Sequence, residues 1–364
     1  DVCSSDLRVA PAGARTVHAV RLENLRTDCA WRLTVTATEK AGATVSAEIT
    51  LAPAGPAPAG QATEVALELC GLGATWPAGL PLTFGVPLAQ GRGFPGQRCE
   101  LRAGNTATIV QTRILSQWPD GSARWLLADT LAPAVAGAAQ LLVSTEPAPE
   151  STPLARPVGS SVLAESGTLR VRLEGGLRLE RRDGAAWKRL ADGLELTGAL
   201  ADGRVLKGGA LQNVTIEENG PRRAVIRADI PVADEKGVAH LRCRLRLHVY
   251  AGQPFVRVVQ RLEVTSPELP MDGDEAKRML RLRRLELRIR CATQAPAKRW
   301  VHEHDQARRV TSTDATEVVP GRMPGHFRVP IADGTLAVGI KEFWQTWPRG
   351  FRQETDRKST RLNS

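Results

Sequence analysis

Residues 240–250 alternate between apolar and charged side chains, and this alternation constrains the fold more than any other feature of the chain. In the run HLRCRLRLHVY, leucine, cysteine or valine occupies every second position, and arginine or histidine fills the positions between. Successive side chains of a β-strand point to opposite faces, whereas an amphipathic helix needs apolar residues three and four positions apart. The segment is therefore predicted to be a strand with one buried face and one wet, arginine-rich face.

The segments that follow repeat this pattern. Residues 251–254 (AGQP) predict a turn, and residues 255–264 predict the returning strand of a hairpin. Residues 280–290 alternate again after a one-residue slip at Arg283 and Arg284, which predicts a β-bulge. Several such strands in succession favour an antiparallel β-sandwich.

A second all-β unit is predicted at residues 76–145, as a small β-barrel. Its clearest element is a hairpin in which strands 109–115 and 123–128 are joined by a turn with the sequence WPDGS. Proline, aspartate and glycine suit such a turn, because they supply a fixed φ, a side-chain acceptor and a residue free to take positive φ. Trp118 and Trp125 flank the turn, and we expect both to fill the barrel core.

The predicted fold class is all-β: a small β domain, a small β-barrel and an antiparallel β-sandwich. The first domain is a partial one at residues 8–75, a proline-rich linker covers residues 146–158, and the sandwich covers residues 159–355. Residues 1–7 (DVCSSDL) and 356–364 (DRKSTRLNS) resemble translated sequencing-adapter sequence of the kind found at the ends of assembled metagenomic fragments. We expect neither end to be a natural terminus, and both are set aside from the fold.

The charge of the chain bears on its partners. The formal net charge is +10, and the excess is mostly arginine spread through the predicted strands. Such an excess favours a polyanionic partner, either an acidic polysaccharide or oligosaccharide or a nucleic acid. Tyr250 is the only tyrosine, and there is no cluster of basic and aromatic residues of the kind that binds single strands, which argues against nucleic acid. No apolar run is long enough to span a membrane. The oligomeric state stays open.

The six cysteines are widely scattered and do not form a C-x-x-C motif, so a zinc knuckle or a thioredoxin-type site is not indicated. Cys3 lies in the adapter-like segment, and most of the other five are expected to be buried thiols. They do not identify the compartment; we expect an extracellular or periplasmic protein.

Three segments together resemble one family. Residues 80–131, with LPLTFGVPLAQG and WPDGSARWLLAD, resemble the N-terminal barrel of the YetA-like and exo-rhamnogalacturonan lyase family. Residues 223–264 are similar to its central β-sandwich, and residues 339–351 (GIKEFWQTWPRGF) resemble the Trp-Gln and Trp-Pro motif that closes it. The C-terminal helical toroid of that family is missing, and the second adapter-like segment begins where it would follow.

The resemblance implies β-elimination at a galacturonate residue of rhamnogalacturonan. A base removes the proton next to the carboxylate, a cation or hydrogen-bond donor neutralises that carboxylate, and an acid assists the departing oxygen. No cofactor is required by the sequence, although a divalent cation such as calcium is a candidate. Since the toroid would supply much of the cleft, we expect this fragment alone to be inactive.

The densest titratable cluster is the run VHEHD at residues 301–305. On a strand, His302 and His304 share one face, where two neutral imidazoles bind a metal or one acts as the base. The simpler interpretation is a polar strand end exposed to solvent. The run is not the H-E-x-x-H motif, so zinc peptidase chemistry is not indicated.

The run FWQTWPR at residues 343–349 combines aromatic rings, an amide and a guanidinium. Trp344, Gln345, Trp347 and Arg349 are therefore candidate substrate-binding residues, because sugars stack on aromatic rings and their carboxylates suit arginine. The equal alternative is that the tryptophans anchor the sandwich on a neighbouring domain.

Two alternatives to a lyase fragment remain open. The first is a non-catalytic β-module that binds a glycan or scaffolds a larger complex. The second is an accessory region of a glycoside hydrolase, but we find no pair of carboxylates to assign to that chemistry.

Overall fold

The computed structural model describes most of the chain between residues 31 and 352. The described residues are 31–38, 44–51, 62–70, 79–133, 137–269, 279–291, 299–302, 310–313, 317–318, 326–331, 334–341 and 351–352. They form β-strands joined by turns and loops, and none of them lies in a helix, so the predicted all-β fold class is confirmed. Consistent with this, none of the described residues forms a helix that could cross a membrane.

The chain divides into two units, residues 1–150 and residues 151–364. The described strands of the first unit are β1 (Trp31–Thr38), β2 (Thr44–Leu51), β3 (Thr63–Leu69), β4 (Pro81–Pro87), β5 (Gln97–Ala103), β6 (Thr106–Gln117), β7 (Ala123–Leu131) and β8 (Gly137–Pro147). β1 and β2 form an antiparallel pair. The other six form one sheet in the order β3-β8-β5-β6-β7-β4.

This six-stranded sheet encloses one hydrophobic core. Every strand of the sheet contributes, and its most deeply buried large side chains are Leu141 at 0%, Val86 and Val143 at 1% and Leu101 at 2% exposure. β3 belongs to this sheet through its pairing with β8, although residues 8–75 were predicted to form a separate preceding domain.

The predicted hairpin is present as β6 and β7. Its turn is closed by the Trp118 amide, which donates to the Ser122 carbonyl at 2.8 Å. Asp120 Oδ1 accepts from the amide and the hydroxyl of Ser122 at 3.0 and 2.6 Å, and Gly121 takes the positive φ of +81° that the motif predicts. Trp118 is half-buried and donates through Nε1 to the Leu88 carbonyl at 2.9 Å.

The expectation that Trp125 fills the core is wrong. Its side chain is 43% exposed, because the register of β7 turns Leu126 and Ala128 inward and Trp125 to the opposite face. The expectation of buried thiols holds for Cys99 and Cys243, whereas Cys70 is exposed.

The second unit contains one large sheet. Its strands are β9 (Ala155–Val158), β10 (Ser161–Glu165), β11 (Leu169–Leu173), β12 (Leu177–Asp183), β13 (Ala186–Leu200), β14 (Val205–Gly208), β15 (Gln212–Asn219), β16 (Arg223–Ala233), β17 (Ala239–Tyr250), β18 (Val256–Val264) and β19 (Leu282–Cys291). The main path is β18-β17-β16-β14-β13-β12-β11-β10-β9, and β15 pairs with β16 and β19 with β13. β9 lies in the segment predicted to be a linker.

The two ends of this sheet pack on each other and form a sandwich. One core cluster joins Leu169, Val171 and Leu173 of β11 to Ile226 of β16 and Leu247 of β17. A second cluster, which includes Leu196, Ile230 and Leu245, continues the core along β13, β16 and β17.

The strands that the alternation predicts are found. β17 and β18 form the predicted hairpin, with the apolar face of β17 buried and β18 at the end of the strand order. In β19, Arg284 pairs with Ala199 and Leu282 with Leu200, so the ladder skips Arg283. The predicted bulge therefore lies at this position.

The remaining described strands are short. They are β20 (Arg299–His302), β21 (Val310–Thr313), β22 (Glu317–Val318), β23 (His326–Ile331), β24 (Gly334–Gly339) and β25 (Phe351–Arg352). Four of them form a sheet in the order β21-β20-β23-β24, and β22 pairs with β25.

Candidate functional site

The residues predicted to carry chemistry fall largely outside the described residues. His302 ends β20, and its side chain and the whole of His304 lie outside them. The four predicted sugar-binding residues also lie outside them: Trp344, Gln345, Trp347 and Arg349. Their roles stay predictions.

Among the described residues, the feature best suited to an acidic ligand is the outer face of β15 to β18, which we call the arginine face. Its arginines are Arg227 of β16, Arg242, Arg244 and Arg246 of β17, and Arg257 and Arg261 of β18. Its carboxylates are Glu217 of β15, Asp229 of β16 and Glu263 of β18. The cross-strand register aligns these positions, and alternation keeps them opposite the buried leucines of β17.

Glu217 organises one side of the arginine face. Arg246 holds it with two hydrogen bonds, from Nε at 2.6 Å and from Nη2 at 3.0 Å, and Arg227 Nη1 lies 3.6 Å from the same carboxylate. Burial alone would raise the pKa of Glu217, but the neighbouring guanidiniums, Arg246 first, bring it below its ordinary value. The hydrogen bonds that Arg246 donates to Glu217 in turn raise the pKa of Arg246. This group is therefore a fixed ion pair at neutral pH.

Glu263 and Asp229 organise the other side. Arg244 bridges them, with Nε 3.1 Å from Asp229 Oδ1 and Nη1 3.0 Å from Glu263 Oε1. Arg242 and Arg261 each approach Glu263 to 3.6 Å. One carboxylate therefore holds three guanidiniums in a row across two strands.

The arginine face keeps a surplus of positive charge after this pairing. Six guanidiniums stand against three carboxylates. Arg261 is the most open of the paired arginines, with its side chain 68% exposed, and Arg257 is also exposed. A guanidinium binds a carboxylate through two parallel hydrogen bonds, so this surface is suited to a ligand that carries carboxylates.

His248 lies within the arginine face but is closed off from a ligand. Neither ring nitrogen is accessible, and neither has a hydrogen-bond partner. Burial first, and then the charges of Arg223 and Arg257, lower the pKa of His248 to about 4. The imidazole is therefore neutral at pH 7 but is not placed to accept a proton from a sugar.

A second titratable group surrounds His240, which is fully buried. His240 Nδ1 lies 2.9 Å from Ser266 Oγ, and Nε2 lies 3.2 Å from Asp234 Oδ2. Serine, histidine and aspartate are the residue types of nucleophilic catalysis, but a ring that is 0% exposed cannot meet a substrate. We assign this group a structural role.

The same group has the composition of a metal site, but an arginine already supplies the cation. Asp234, His240 and Glu268 present ligand atoms that all lie within 4.8 Å of one another. Arg204 donates to Asp234 at 3.2 Å and to both oxygens of Glu268 at 2.7 Å. Asp234 Oδ1 also accepts from the amides of residues 236 and 238 at 3.0 and 2.9 Å. The network therefore ties three loops together.

The sequence pointed to one of these two groups and missed the other. The wet face of residues 240–250 was predicted from alternation, and it forms the centre of the arginine face. The network around His240 joins residues that lie up to 64 positions apart, and no local pattern connects Arg204 to Glu268.

Comparison with known proteins identifies a domain within the first unit. Residues 68–144 match the PcRGLX-like N-terminal RIFT barrel domain, a domain of rhamnogalacturonan lyase-like proteins. The match covers β4 to β7 and most of β8. The family resemblance noted in the sequence is confirmed over these residues. No curated protein matches the chain.

Two solved structures are similar to the chain. One is a protein in the glycosyl hydrolase family 38 from Enterococcus faecalis, with 13% identity and a TM-score of 0.44, covering 79% of this chain and 41% of its own. The other is an alpha-mannosidase from Enterococcus faecalis, with 14% identity and a TM-score of 0.38, covering 77% and 39%. The chain thus spans about two fifths of the length of these structures.

Proposed function

We propose, on the premise that residues 68–144 are a PcRGLX-like N-terminal RIFT barrel, that this chain is the β-rich part of a protein that cleaves rhamnogalacturonan by β-elimination. In this proposal the arginine face binds the galacturonate carboxylates of the polysaccharide. The observation that carries the proposal is the surplus of guanidiniums over carboxylates on that face.

The chemistry of β-elimination explains why such a face is useful. Removal of the proton next to a carboxylate places negative charge on that carboxylate, and a fixed cation lowers the energy of the intermediate. Glu217 and Glu263 already hold Arg246 and Arg244 in place, so little side-chain entropy is lost when a ligand binds. The exposed Arg257 and Arg261 are the arginines that we expect to contact the ligand first.

The described residues do not supply an obvious base beside these arginines. His248 is the imidazole within the arginine face, and its nitrogens are sealed. We therefore propose that the described part of the chain binds the polysaccharide without cleaving it. The proton would be removed elsewhere, with His302 and His304 as the predicted candidates.

The inaccessible ring nitrogens of His248 also favour a second candidate function. A non-catalytic module that binds an acidic glycan needs the arginines but no base, and the described residues meet that requirement. The two functions share the binding step and differ only in whether a product forms.

Binding is tested by affinity electrophoresis of the whole chain in gels that contain rhamnogalacturonan or polygalacturonate. The double substitution Arg257→Gln and Arg261→Gln should weaken retention several-fold and make it less sensitive to salt, since exposed charges are screened. The matched control, Arg284→Gln with Arg290→Gln, removes the same charge from β19 and should leave retention unchanged. An equal loss of retention in both variants would indicate only non-specific charge attraction and would refute the assignment of the arginine face as the binding surface.

Cleavage is tested by the ultraviolet absorbance of unsaturated uronate. We expect this chain to bind the polysaccharide and to give no absorbance change. Product formation by this chain would refute that expectation. The double variant His302→Ala and His304→Ala would then show whether these two histidines supply the base, since it should lose the product if they do. If the full-length protein binds but yields no product either, the non-catalytic module is the correct function.

A further inference from the structure

β18 lies at one end of the strand order of the large sheet, and none of the described strands pairs with its outer edge. It pairs with β17 from Val256 to Val264 without a register shift. The amide of Thr265, the residue after β18, donates to the carbonyl of His240 at 3.0 Å. In an antiparallel strand, the N–H and C=O groups of successive residues point alternately to the two sides. The backbone groups of residues 256, 258, 260, 262 and 264 therefore point away from β17, towards the open edge.

This edge lacks features that usually prevent strands from pairing with other chains. Proline in an edge strand and charged side chains that point inward are two such features. β4 begins and ends with proline and β9 contains Pro157, whereas β18 contains neither proline nor glycine. The inner face of β18 carries only valine, leucine and one glutamine, so no charge points inward. β18 is therefore suited to accept another strand at its edge.

The inner face of β18 also carries apolar side chains that the described residues leave open. Val258 and Leu262 are each 42% exposed, and Val264 is 53% exposed. The residues that pair with them on β17 are all buried. The core layer of the sandwich therefore continues onto β18 but is not covered there by any described residue. Burial of these three side chains by a further strand would remove apolar surface from water.

The sequence of β18 is complementary to itself in one antiparallel register. Two copies related by a twofold axis pair only in registers centred on a residue, because both strands must present the same backbone groups at equivalent positions. In the register centred on Gln260, Val258 faces Leu262 of the second copy, and Val256 faces Val264. The apolar residues of the inner face are thus opposite one another, and the two Gln260 side chains meet at the axis.

The outer face of β18 favours the same register. With Gln260 at the centre, Arg257 faces Glu263 of the second copy, and opposite charges across a strand pair are stabilising. Glu263 already lies 3.0 Å from Arg244, but its side chain is still 24% exposed. Registers centred one residue away, on residue 259 or 261, would place arginine opposite arginine, which is destabilising. Registers further from the middle of β18 pair fewer residues.

We propose that β18 pairs with β18 of a second copy of this chain, in the antiparallel register centred on Gln260. The two large sheets then form one continuous sheet. Residues 256, 258, 260, 262 and 264 of each copy exchange backbone hydrogen bonds, and the open apolar side chains of the two inner faces cover one another. An interface made by one strand from each copy falls at the lower end of the size range of specific interfaces, so we expect a weak, reversible dimer.

The dimer goes beyond the proposed function and does not rest on it. Gln260 lies on the inner face of β18, whereas Arg257 and Arg261 lie on the arginine face. Substitutions of Gln260 therefore leave the arginine face in place. Loss of the dimer and loss of polysaccharide binding are separate results, and either one is measurable without the other.

The test is sedimentation velocity of the whole chain over a wide range of protein concentration, in about 0.15 M salt to screen the net charge of +10. The parent chain should pass from monomer to dimer as its concentration rises. Gln260→Lys and Gln260→Glu each place two like charges opposite each other at the axis, and each should raise the dissociation constant about tenfold. An equimolar mixture of the two variants should recover the dimer, because an ammonium group then faces a carboxylate.

A matched control makes the same change at another strand. Gln212 is exposed on β15, and Gln212→Lys should leave association unchanged. The amide of Gln260 also hydrogen-bonds with the thiol of Cys243, so the fold of each variant at position 260 is checked by thermal unfolding followed by circular dichroism. Recovery of the dimer in the mixture would itself show that both variants fold.

Three outcomes would overturn the proposal. The first is a parent chain that stays monomeric at every concentration. The second is a Gln260→Lys variant that dimerises as readily as the parent chain, which would place the contact elsewhere. The third is a mixture of the two charged variants that associates no better than either variant alone, which would exclude the register centred on Gln260.

Discussion

The sealed imidazole of His248 makes the stability of the second unit depend on pH. An unperturbed histidine takes up a proton near pH 6.5, but the pKa of His248 in the folded chain is about 4. As the pH falls from 6.5 towards 4, the unfolded chain therefore binds a proton that the folded chain refuses. Stability that is complete above pH 6.5 should be lost progressively across this window.

The size of the effect follows from the shift and its cause. Each pKa unit corresponds to about 1.4 kcal/mol, so a fully desolvated group shifted this far would cost about 3.4 kcal/mol. His248 is only half-buried, and its neighbours Arg246 and Arg257 are partly screened by water, so we expect a loss of about 1 to 2 kcal/mol. Glu218 opposes these two arginines and Arg223 and keeps the pKa from falling further.

The substitution His248→Phe isolates this contribution. It keeps a ring beside Tyr250, whose centroid lies 6.4 Å from that of His248, and it removes both unpaired nitrogens. Urea unfolding followed by circular dichroism at pH 7.5 and pH 4.5 should show a smaller loss of stability on acidification in the variant than in the parent chain. The imidazole proton resonances, followed against pH, measure the pKa directly.

Two results would refute this reasoning. An identical loss of stability in both proteins would mean that other groups account for the acid sensitivity. A measured pKa near 6.5 for His248 would mean that water or a ligand reaches the ring nitrogens.

Three more predictions rest on packing, on the WPDGS turn and on the His240 network. Leu245 is 1% exposed, and Leu245→Ala should lower the free energy of unfolding by about 2 to 5 kcal/mol. Leu262 on the adjacent strand is 42% exposed, and Leu262→Ala should lower it by about 1 kcal/mol or less. Equal losses of the two variants in urea titrations would contradict the burial described. Gly121→Ala should destabilise the barrel unit by about 1 to 2 kcal/mol in thermal unfolding, through backbone strain alone, because φ is +81° and no atom lies within 4 Å of the added methyl group. Burial would raise the pKa of Asp234, but His240 and two amides lower it to about 2. The stability that this carboxylate contributes is therefore present above pH 4 and is lost as the pH falls towards 2. Asp234→Asn should be less stable than the parent chain at pH 7, and its stability should depend less on pH below pH 4 in acid titrations.

Period-two alternation predicted the strands well but could not predict how the sheet folds. β17, β18 and the bulge at Arg283 follow from local pattern, because the side chains of one strand report which of its faces is wet. The packing of β11 on β16 and β17 depends on contacts between distant segments, which no window of sequence contains.

The errors and omissions at the sites have the same origin. Trp125 was assigned to the core because large apolar residues are usually buried, yet a shift of one position places Leu126 inside and the indole outside. Only the pairing with β4 reveals that Gly85 makes room for the ring. The arginine face was visible as alternation, but its surplus of charge required the partners on β15 and β16.

The single sheet that closes on itself also governs how the second unit acquires its structure. The apolar side chains of β9 to β12 are buried only when β16 and β17 pack on them, and β13 to β15 separate the two groups of strands along the chain. The core cluster that joins these strands therefore forms only after a long loop has closed, which places such units among slow folders, in the range of milliseconds to seconds. During that interval unpaired strand edges are exposed, and the recovery of refolded protein should fall as its concentration rises.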